Sequence, residues 1–377
     1  MKRVIVAGHI CLDISPAFKC AKVDSVDALL KPGKALNVGK CTVSTGGVVA
    51  NTGLALKSLG ADARLVGKVG NDSFGKAVLE RLSERKAEED IIVVKGEQTS
   101  YSVVLAIPGI DRIFLQSPGA NDTFCSADIP DSVFDNASHF HFGYPPLMKK
   151  MYSGSGAHLA VLLKRAKNQG LTTSLDMAFI DPEGPAASVR WDKILENVLP
   201  YVDFFMPSFE ELCYMLDPKK LETRQVQADK DNVDISNIIN INDDVKPLAK
   251  RCLDLGAKVV VITCGAPGIY YECSGRRDIR SLCNQAGLDI DEWAKKKGFE
   301  KSFVPDRIVS GTGCGDASKA GFIIEMLDGK SIKECVTIAA GCGAMCITEM
   351  DATSGLVTLE ELRNKINSGW KKVSIGN

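Results

Sequence analysis

Hydrophobic and polar positions run along this chain in two rhythms. Short stretches with β-branched or aromatic character predict strands at 4–7, 63–66, 140–142, 172–176, 204–206 and 259–263. Stretches with Ala and Leu at helical spacing predict helices at 51–59, 74–86, 158–169, 194–199, 210–216 and 247–255. Gly60, Gly170 and Gly256 stand where three of these helices end, and Pro247 suits a first turn. Strands at 100–107 and 111–116 are joined by Pro108-Gly109 and read as a hairpin. The repeated βα order predicts an α/β fold with a parallel sheet covered by helices on both faces. Two segments break the rhythm: 16–45 is mixed and turn-rich, and the polar stretch at about 217–244 reads as a surface insertion. No internal repeat is visible.

Composition changes little. The 377 residues are 45% hydrophobic and 25% charged, enough for one large α/β domain or two smaller ones. A net charge of -1 offers no handle for nucleic acid or an anionic membrane, so neither is an expected partner. The cluster Lys295-Lys296-Lys297 reads as a solvated helix face. Thirteen cysteines, an odd number with no Cys-x-x-Cys pair, read as reduced and mostly buried thiols. That implies a reducing, cytoplasmic compartment. His139-x-His141 reads as strand residues rather than metal ligands. Residues 4–7 resemble the core of a signal peptide, but His9 and Asp13 interrupt the apolar stretch and a strand explains it better.

The chemistry concentrates in loops. Ser310-Gly311-Thr312-Gly313-Cys314-Gly315-Asp316 stands directly before a helical run. Glycines let backbone N–H groups approach an anion, a helix N-terminus adds partial positive charge, and a carboxylate there can take a proton from an attacking hydroxyl. Alone, the segment reads equally as a Gly-rich turn with an N-capping Asp. Gly46-Gly47 would let backbone approach a ligand, with Asn51 facing it as donor and acceptor. Asp13, just past the first strand, stands where open α/β sheets bind ligands. Both also read as ordinary turn residues. Thr263, Gly265 and Gly268 form a strand-end loop open to a nucleotide or simply a Pro-Gly turn. Ser208 and Glu211 have capping-box spacing. The segment from Gly33 to Cys41 mimics a P-loop but has five residues between Gly33 and Gly39, and Cys where a magnesium-binding hydroxyl belongs.

In this order the pieces resemble the ribokinase-like (PfkB family) carbohydrate kinases. The likeness spans nearly the whole chain. It runs from Gly8 and Asp13 through Gly46-Gly47-x-x-x-Asn51, the stretch Val66 to Gly75, and Ser117-Pro118-Gly119-Ala120-Asn121. It continues in Pro207-Ser208-x-x-Glu211, Thr263-x-Gly265-x-x-Gly268 and Gly313-Cys314-Gly315-Asp316. The resemblance implies a single Rossmann-like three-layer α/β/α domain with a central mostly parallel sheet and a small β-sheet lid, built from about 14–45 and 97–118. It implies ATP-dependent phosphorylation of a hydroxymethyl group on a sugar or sugar-like acceptor. Asp316 would be the base, and the N–H groups of Gly313, Cys314 and Gly315 the anion hole. Asp13, Gly46, Gly47 and Asn51, with Tyr144, would hold the acceptor. Ser208, Thr263, Gly265 and Gly268 would line the ATP site, and Glu211 would act through water on Mg2+. A homodimer through the lid is also implied.

The chain departs from the family pattern at Ser310, where an Asp commonly helps bind a monovalent cation, so little response to potassium is expected. Cys314 stands where Ala or Gly is usual, and Ser208 where Asn is. Nucleoside kinases are the neighbouring alternative and need an aromatic lid contact, for which Tyr101, Phe114 and Phe18 are candidates. Arg112 is the lid candidate for an acceptor phosphate. A non-catalytic sugar sensor on the same fold is a third reading.

Overall fold

The computed structural model describes residues 2–110 and 112–374. Its main sheet has eight strands: β1 (Arg3–Gly8), β4 (Asp62–Val66), β9 (Ala137–Gly143), β10 (Thr172–Leu175), β11 (Phe204–Phe205), β12 (Val259–Thr263), β13 (Gly268–Cys273) and β14 (Lys297–Lys301). They lie in the order β14-β13-β12-β11-β10-β9-β1-β4. All neighbours are parallel except at β13 and β14, which run antiparallel at one edge. Side chains alternate across β1, so the strand serves two cores. Val4 and Val6 pack with the helices Gly47–Ser58, Cys314–Leu327 and Ile332–Cys346, whereas Ile5 and Ala7 pack with Lys149–Asn168, Trp191–Val198 and Phe209–Leu216. Burial of both faces explains why the parallel strands are rich in Val, Ile and Phe.

The segments expected to form a lid, so called below, build a smaller four-stranded sheet in the order β3-β2-β7-β8, with β2 (Cys11–Pro16), β3 (Cys41–Gly46), β7 (Tyr101–Leu105) and β8 (Ile113–Ser117). A two-stranded pair, β5 (Lys68–Gly70) and β6 (Ile92–Val94), adjoins it in sequence. Register sorts the lid's residues by face. Ser44, Asp13, Ser102 and Gln116 are successive cross-strand partners and so share one face. Leu12, Ile14, Val43 and Tyr101 lie on the other, packed against the main core. There Tyr101 meets Phe74 edge-on at 5.3 Å.

Several expectations change. The predicted helix 51–59 begins at Gly47, which moves Asn51 from the first turn to the second. The stretch 217–244 is folded: the helix Pro218–Asp231 starts at a capping Asp217, and Arg224 pairs with the buried Asp244 at 3.0 Å. Its polar sequence reflects an exposed helix tethered by ion pairs. Lys295 lies in a turn, Lys296 in the link after it, and Lys297 opens β14, so the lysine cluster is not a helix face. The start of the predicted strand 111–116, Asp111, lies outside the described residues. The helix Lys149–Asn168 is interrupted at Ser153–Gly156, where backbone torsions leave the helical range. Among the described residues no helix is long and apolar enough to cross a membrane.

Candidate active site

The helix Cys314–Leu327 begins after Gly313, whose φ of +74° is left-handed. A Cβ on Gly313 would lie 2.1 Å from Ala352 Cβ, so only glycine fits. Asp316 falls in the first turn and is 2% exposed. Three donors from two segments hold its carboxylate. Asn51 Nδ2 and the Tyr144 hydroxyl donate to Oδ2 at 3.0 and 2.7 Å, and the Thr52 hydroxyl donates to Oδ1 at 3.2 Å. Tyr144 reaches it from the turn after β9, with a left-handed φ of +62°. Thr52 was not singled out in the sequence, because nothing local separates it from any buried helical threonine. The Cys314 amide leans toward Gly311 O at 3.4 Å, longer than an ordinary hydrogen bond and open to displacement by an anion.

The residues expected to hold an acceptor lie on the smaller sheet and beside it. Asp13 lies within β2 itself, not in a loop beyond the first strand. Burial pushes its carboxyl pKa up, opposed by hydrogen bonds from Cys11 and Ser102. A Cβ on Gly46 would stand 2.2 Å from Asp13 Oδ2, and one on Gly47, at φ +83°, would stand 2.5 Å from His9 O. The paired glycines therefore let the lid carboxylate and the β1–β2 turn close on the helix Gly47–Ser58. His9 belongs to no recognisable motif in the sequence. It is buried, its Nε2 lies 3.0 Å from Gln116 Nε2, and its Nδ1 has no partner among the described residues. Burial lowers its pKa to about 4, so the ring is neutral near pH 7. Its ring centre is 6.1 Å from that of Tyr144, which links the lid row to the Asp316 cluster. Asn121 clamps the intervening turn, donating to Ile10 O at 2.9 Å and accepting from Ile10 N at 3.2 Å.

Beyond Asp316 lies a buried ion pair. Lys319, one turn further along the same helix, meets Asp176 at 2.6 Å. Burial pushes the Asp176 carboxyl up and Lys319 opposes it. Burial also works to lower Lys319, but Asp176, Glu211 and Asp316 outweigh it and hold the ammonium above its usual range. Asp176 Oδ2 has no partner among the described residues. Glu211 closes a capping box with Ser208, accepting from Ser208 N at 2.7 Å while Ser208 Oγ accepts from Glu211 N at 3.3 Å. The helix-cap reading of these two is thus realised, and Glu211 still contributes charge to the Asp176–Lys319 pair. Among the described residues no group of three or more His, Cys, Asp or Glu side chains is arranged to hold a metal ion. His139 and His141 are buried on β9 and bond Thr172 and Ser174 instead.

On the side assigned to the nucleotide, Thr263 ends β12 and helps line a small cavity with Met206, Val261, Ile269, Ser318 and Lys319. The two loop glycines answer to the protein's own packing. A Cβ on Gly265 would lie 2.6 Å from Ser236 Cβ, and one on Gly268 2.1 Å from Glu300 O. Their conformations, φ +66° and +146°, are set by the 217–244 segment and by β14.

Comparison with known proteins identifies the family. A family model described as pfkB family carbohydrate kinase matches residues 1–359. An uncharacterized sugar kinase of Archaeoglobus fulgidus is 23% identical over 305 residues, covering 80% of this chain and 98% of that protein. Fructokinase-2 of Zea mays is 24% identical, covering 85% of this chain and 84% of that one. A solved structure of fructokinase with bound ATP from Xylella fastidiosa superposes with a TM-score of 0.68 at 18% identity, covering 97% and 98%. The ribokinase-like fold, the helix-mouth carboxylate and a family match over almost the full length agree, and the chain belongs to the pfkB family of carbohydrate kinases.

Proposed function

We propose that the chain transfers the γ-phosphoryl group of ATP to a hydroxymethyl group of a sugar or sugar-like acceptor, with Asp316 as general base. The observation that carries this reading is the position of Asp316. It is an almost fully buried carboxylate at a helix mouth, oriented by Asn51, Thr52 and Tyr144. Asp316 takes the proton from the acceptor hydroxyl as its oxygen bonds to the γ-phosphorus, and the bond from that phosphorus to the bridging oxygen breaks to release ADP. The N–H groups of Gly313, Cys314 and Gly315 face the charge on the transferring group, and donors so placed are each worth about 2.7–4 kcal/mol. Asp13 and the backbone at Gly46 and Gly47 hold the acceptor's hydroxyls. Asn51 acts chiefly through Asp316, since its amide nitrogen is committed there. Closure of the lid keeps water from the reacting phosphorus.

ATP would lie along Thr263 and the mouth of the helix Cys314–Leu327. Magnesium fits this donor set as a hydrated ion beside Asp176 and Glu211, because Asp176 Oδ2 is a buried carboxylate oxygen without a protein partner. The ion would supply charge neutralisation for the phosphates. A homodimer through the lid edges β3 and β8 belongs to the same reading, since unpaired strand edges seek partners, and sedimentation tests it.

A nucleoside acceptor is the second reading, and Phe114 is the observation that favours it. Tyr101 is occupied by core packing, but Phe114 lies two residues from Gln116 on the same lid face and is 51% exposed. The test is ATP-dependent ADP release with magnesium across hexoses, pentoses, keto-deoxy acids, sugar phosphates and nucleosides, with Asp316→Asn as control. Turnover on one class, absent in the control, establishes the reaction and its acceptor. Equal ADP release in the control removes Asp316 as base.

A further inference from the structure

Gly313 and Gly315 stand on either side of Cys314 at the mouth of the helix Cys314–Leu327, and packing explains only the first. Gly313 is required by its left-handed φ and by the closeness of Ala352. Gly315 has a φ outside the left-handed range. Apart from chain neighbours and the backbone of its own helix, one described atom lies within 4 Å of where its Cβ would be: Lys319 Nζ, at 3.4 Å. The face of Gly315 is thus open but for an ammonium group. The two residues are four apart and share a helix face, and helical side chains lean toward the N-terminus, so Lys319 reaches back to the mouth. It is 5% exposed. Its ion-pair partner among the described residues is Asp176, whose Oδ1 lies at 2.6 Å. An ammonium has three N–H donors, and this contact takes one. Asp176 is fully buried, and its Oδ2 has no partner among the described residues. A buried pair that serves stability alone needs its remaining polar atoms satisfied. Here one carboxylate oxygen and two ammonium donors are left over.

The charges at the mouth give this placement a purpose. A phosphoryl group within reach of Asp316 also comes near Asp176 and Glu211, the carboxylates that act on Lys319 together with Asp316. Backbone N–H groups at a helix mouth carry only partial charge. Lys319 adds a full positive charge beside them, which offsets part of the repulsion between phosphate and carboxylates. Burial works against that charge, and the three carboxylates outweigh it. A compact ammonium meets a phosphoryl oxygen as a point charge, the use to which lysine is suited.

We propose that Lys319 is a catalytic residue whose ammonium, held by Asp176 beside the open face of Gly315, donates a hydrogen bond to an oxygen of the γ-phosphoryl group of ATP. This rests on the kinase reading above. The base and the cation then come from one helix, three residues apart, so a single rigid element positions both. Asp176 keeps its contact with Lys319 and acts as the positioning residue. No covalent bond to Lys319 forms or breaks and its protons stay in place; it compensates charge that shifts during transfer.

The test uses Lys319→Met, Asp176→Asn and the double variant in the full chain, with thermal unfolding to confirm folding. Met keeps an unbranched chain without the charge. The double variant leaves no buried carboxylate unpaired, so it keeps the test readable if Lys319→Met alone does not fold. Calorimetry without acceptor, in the presence of magnesium, compares β,γ-methylene-ATP with ADP. The analogue binds Lys319→Met about tenfold more weakly than wild type, and the double variant about tenfold more weakly than Asp176→Asn. ADP affinity stays within about twofold in each pair, because only the γ-group meets Lys319. In turnover, kcat of Lys319→Met falls about 10²–10³-fold. Equal losses for the analogue and ADP overturn the proposal. So does a double variant that binds the analogue as tightly as Asp176→Asn, because Lys319 would then serve only to neutralise Asp176. A wild-type enzyme that binds the analogue but turns over no acceptor would count against the kinase reading, and the analogue-against-ADP comparison would still decide the role of Lys319.

Discussion

The hydroxyl of Tyr144 donates to Asp316 Oδ2 at 2.7 Å across 172 residues of sequence. The phenol belongs to the turn after β9 and the carboxylate to the first turn of the helix Cys314–Leu327, both packed with the same core, so this contact joins two segments far apart in the chain. Burial, with the carboxylates of Asp316 and Asp176 adding to it, pushes the Tyr144 pKa well up, which keeps it a donor throughout the working range. Tyr144→Phe removes one of three donors that fix the carboxylate. The expected result is a fall in kcat of about tenfold, with ATP affinity unchanged. Under the proposed mechanism Asp316→Asn keeps the shape and removes the base, so turnover is expected to fall by about 10²–10⁴ or more while ATP still binds. Steady-state kinetics with nucleotide calorimetry checks both, and an Asn variant within tenfold of wild type contradicts the assignment.

Gly46 and Asp13 form a steric lock. A methyl group at Gly46 would overlap Asp13 Oδ2 at 2.2 Å, so the carboxylate must turn away. Gly46→Ala is expected to raise the acceptor KM by one to two orders of magnitude, about the worth of one or two hydrogen bonds to a charged group. The KM for ATP should stay within about twofold. Parallel losses in both would show that the lid as a whole had failed.

Cys314 is the cysteine to watch. Its thiol pKa is lowered by the hydrogen bond with Cys346, against the effect of burial and with help from Arg112. Most other cysteines are buried, and burial raises Cys252, Cys273 and Cys342 far from reactivity. Iodoacetamide should inactivate the enzyme through an adduct on Cys314, found by peptide mass spectrometry, and ATP should slow the reaction. Inactivation without an adduct at Cys314 would disprove this.

Three buried histidines make stability fall in mild acid. Burial holds His9 at a pKa of about 4 and His139 at about 3, and lowers His141 well below the usual 6.5. In the unfolded chain all three return to about 6.5 and take up protons there, while the folded chain does not. Their contribution is therefore complete above pH 6.5 and is lost as the pH falls below it. Denaturant unfolding at pH 7.5 and 5.5 should differ by roughly 4 kcal/mol from these groups, about 1.4 kcal/mol each. Asp13 and Asp176, whose carboxyls burial raises, titrate in the opposite sense and reduce the sum. His9→Gln isolates one group: the difference between the two pH values should shrink by about 1.4 kcal/mol. An unchanged difference would mean His9 titrates normally.

What lay within a few residues was legible. The parallel strands announced themselves by apolar runs such as Val4-Ile5-Val6-Ala7, and the helix ending near Gly60 by periodicity and a terminal glycine. The Gly313–Asp316 segment was readable because a left-handed glycine, a helix mouth and a carboxylate are consecutive in the chain. The capping box of Ser208 and Glu211 was readable for the same reason. Periodicity and capping act over one or two turns, so the residue types alone determine them.

The rest was decided by tertiary structure. Thr52, His9, Asp176 and Lys319 have no local signature, because each acquires its role from a partner on another element: Asp316, Gln116 or the opposite member of the ion pair. The reason Gly265 and Gly268 are glycines lies in Ser236 and Glu300, which only the docking of the 217–244 segment and of β14 brings near. The sequence by itself determined a parallel α/β sheet, a glycine-flanked carboxylate at a helix mouth and the family to which they point. The strand order, the register of the smaller sheet and the set of donors around Asp316 were decided by packing, since burying both faces of the main sheet is what brings residues hundreds of positions apart into hydrogen-bond distance.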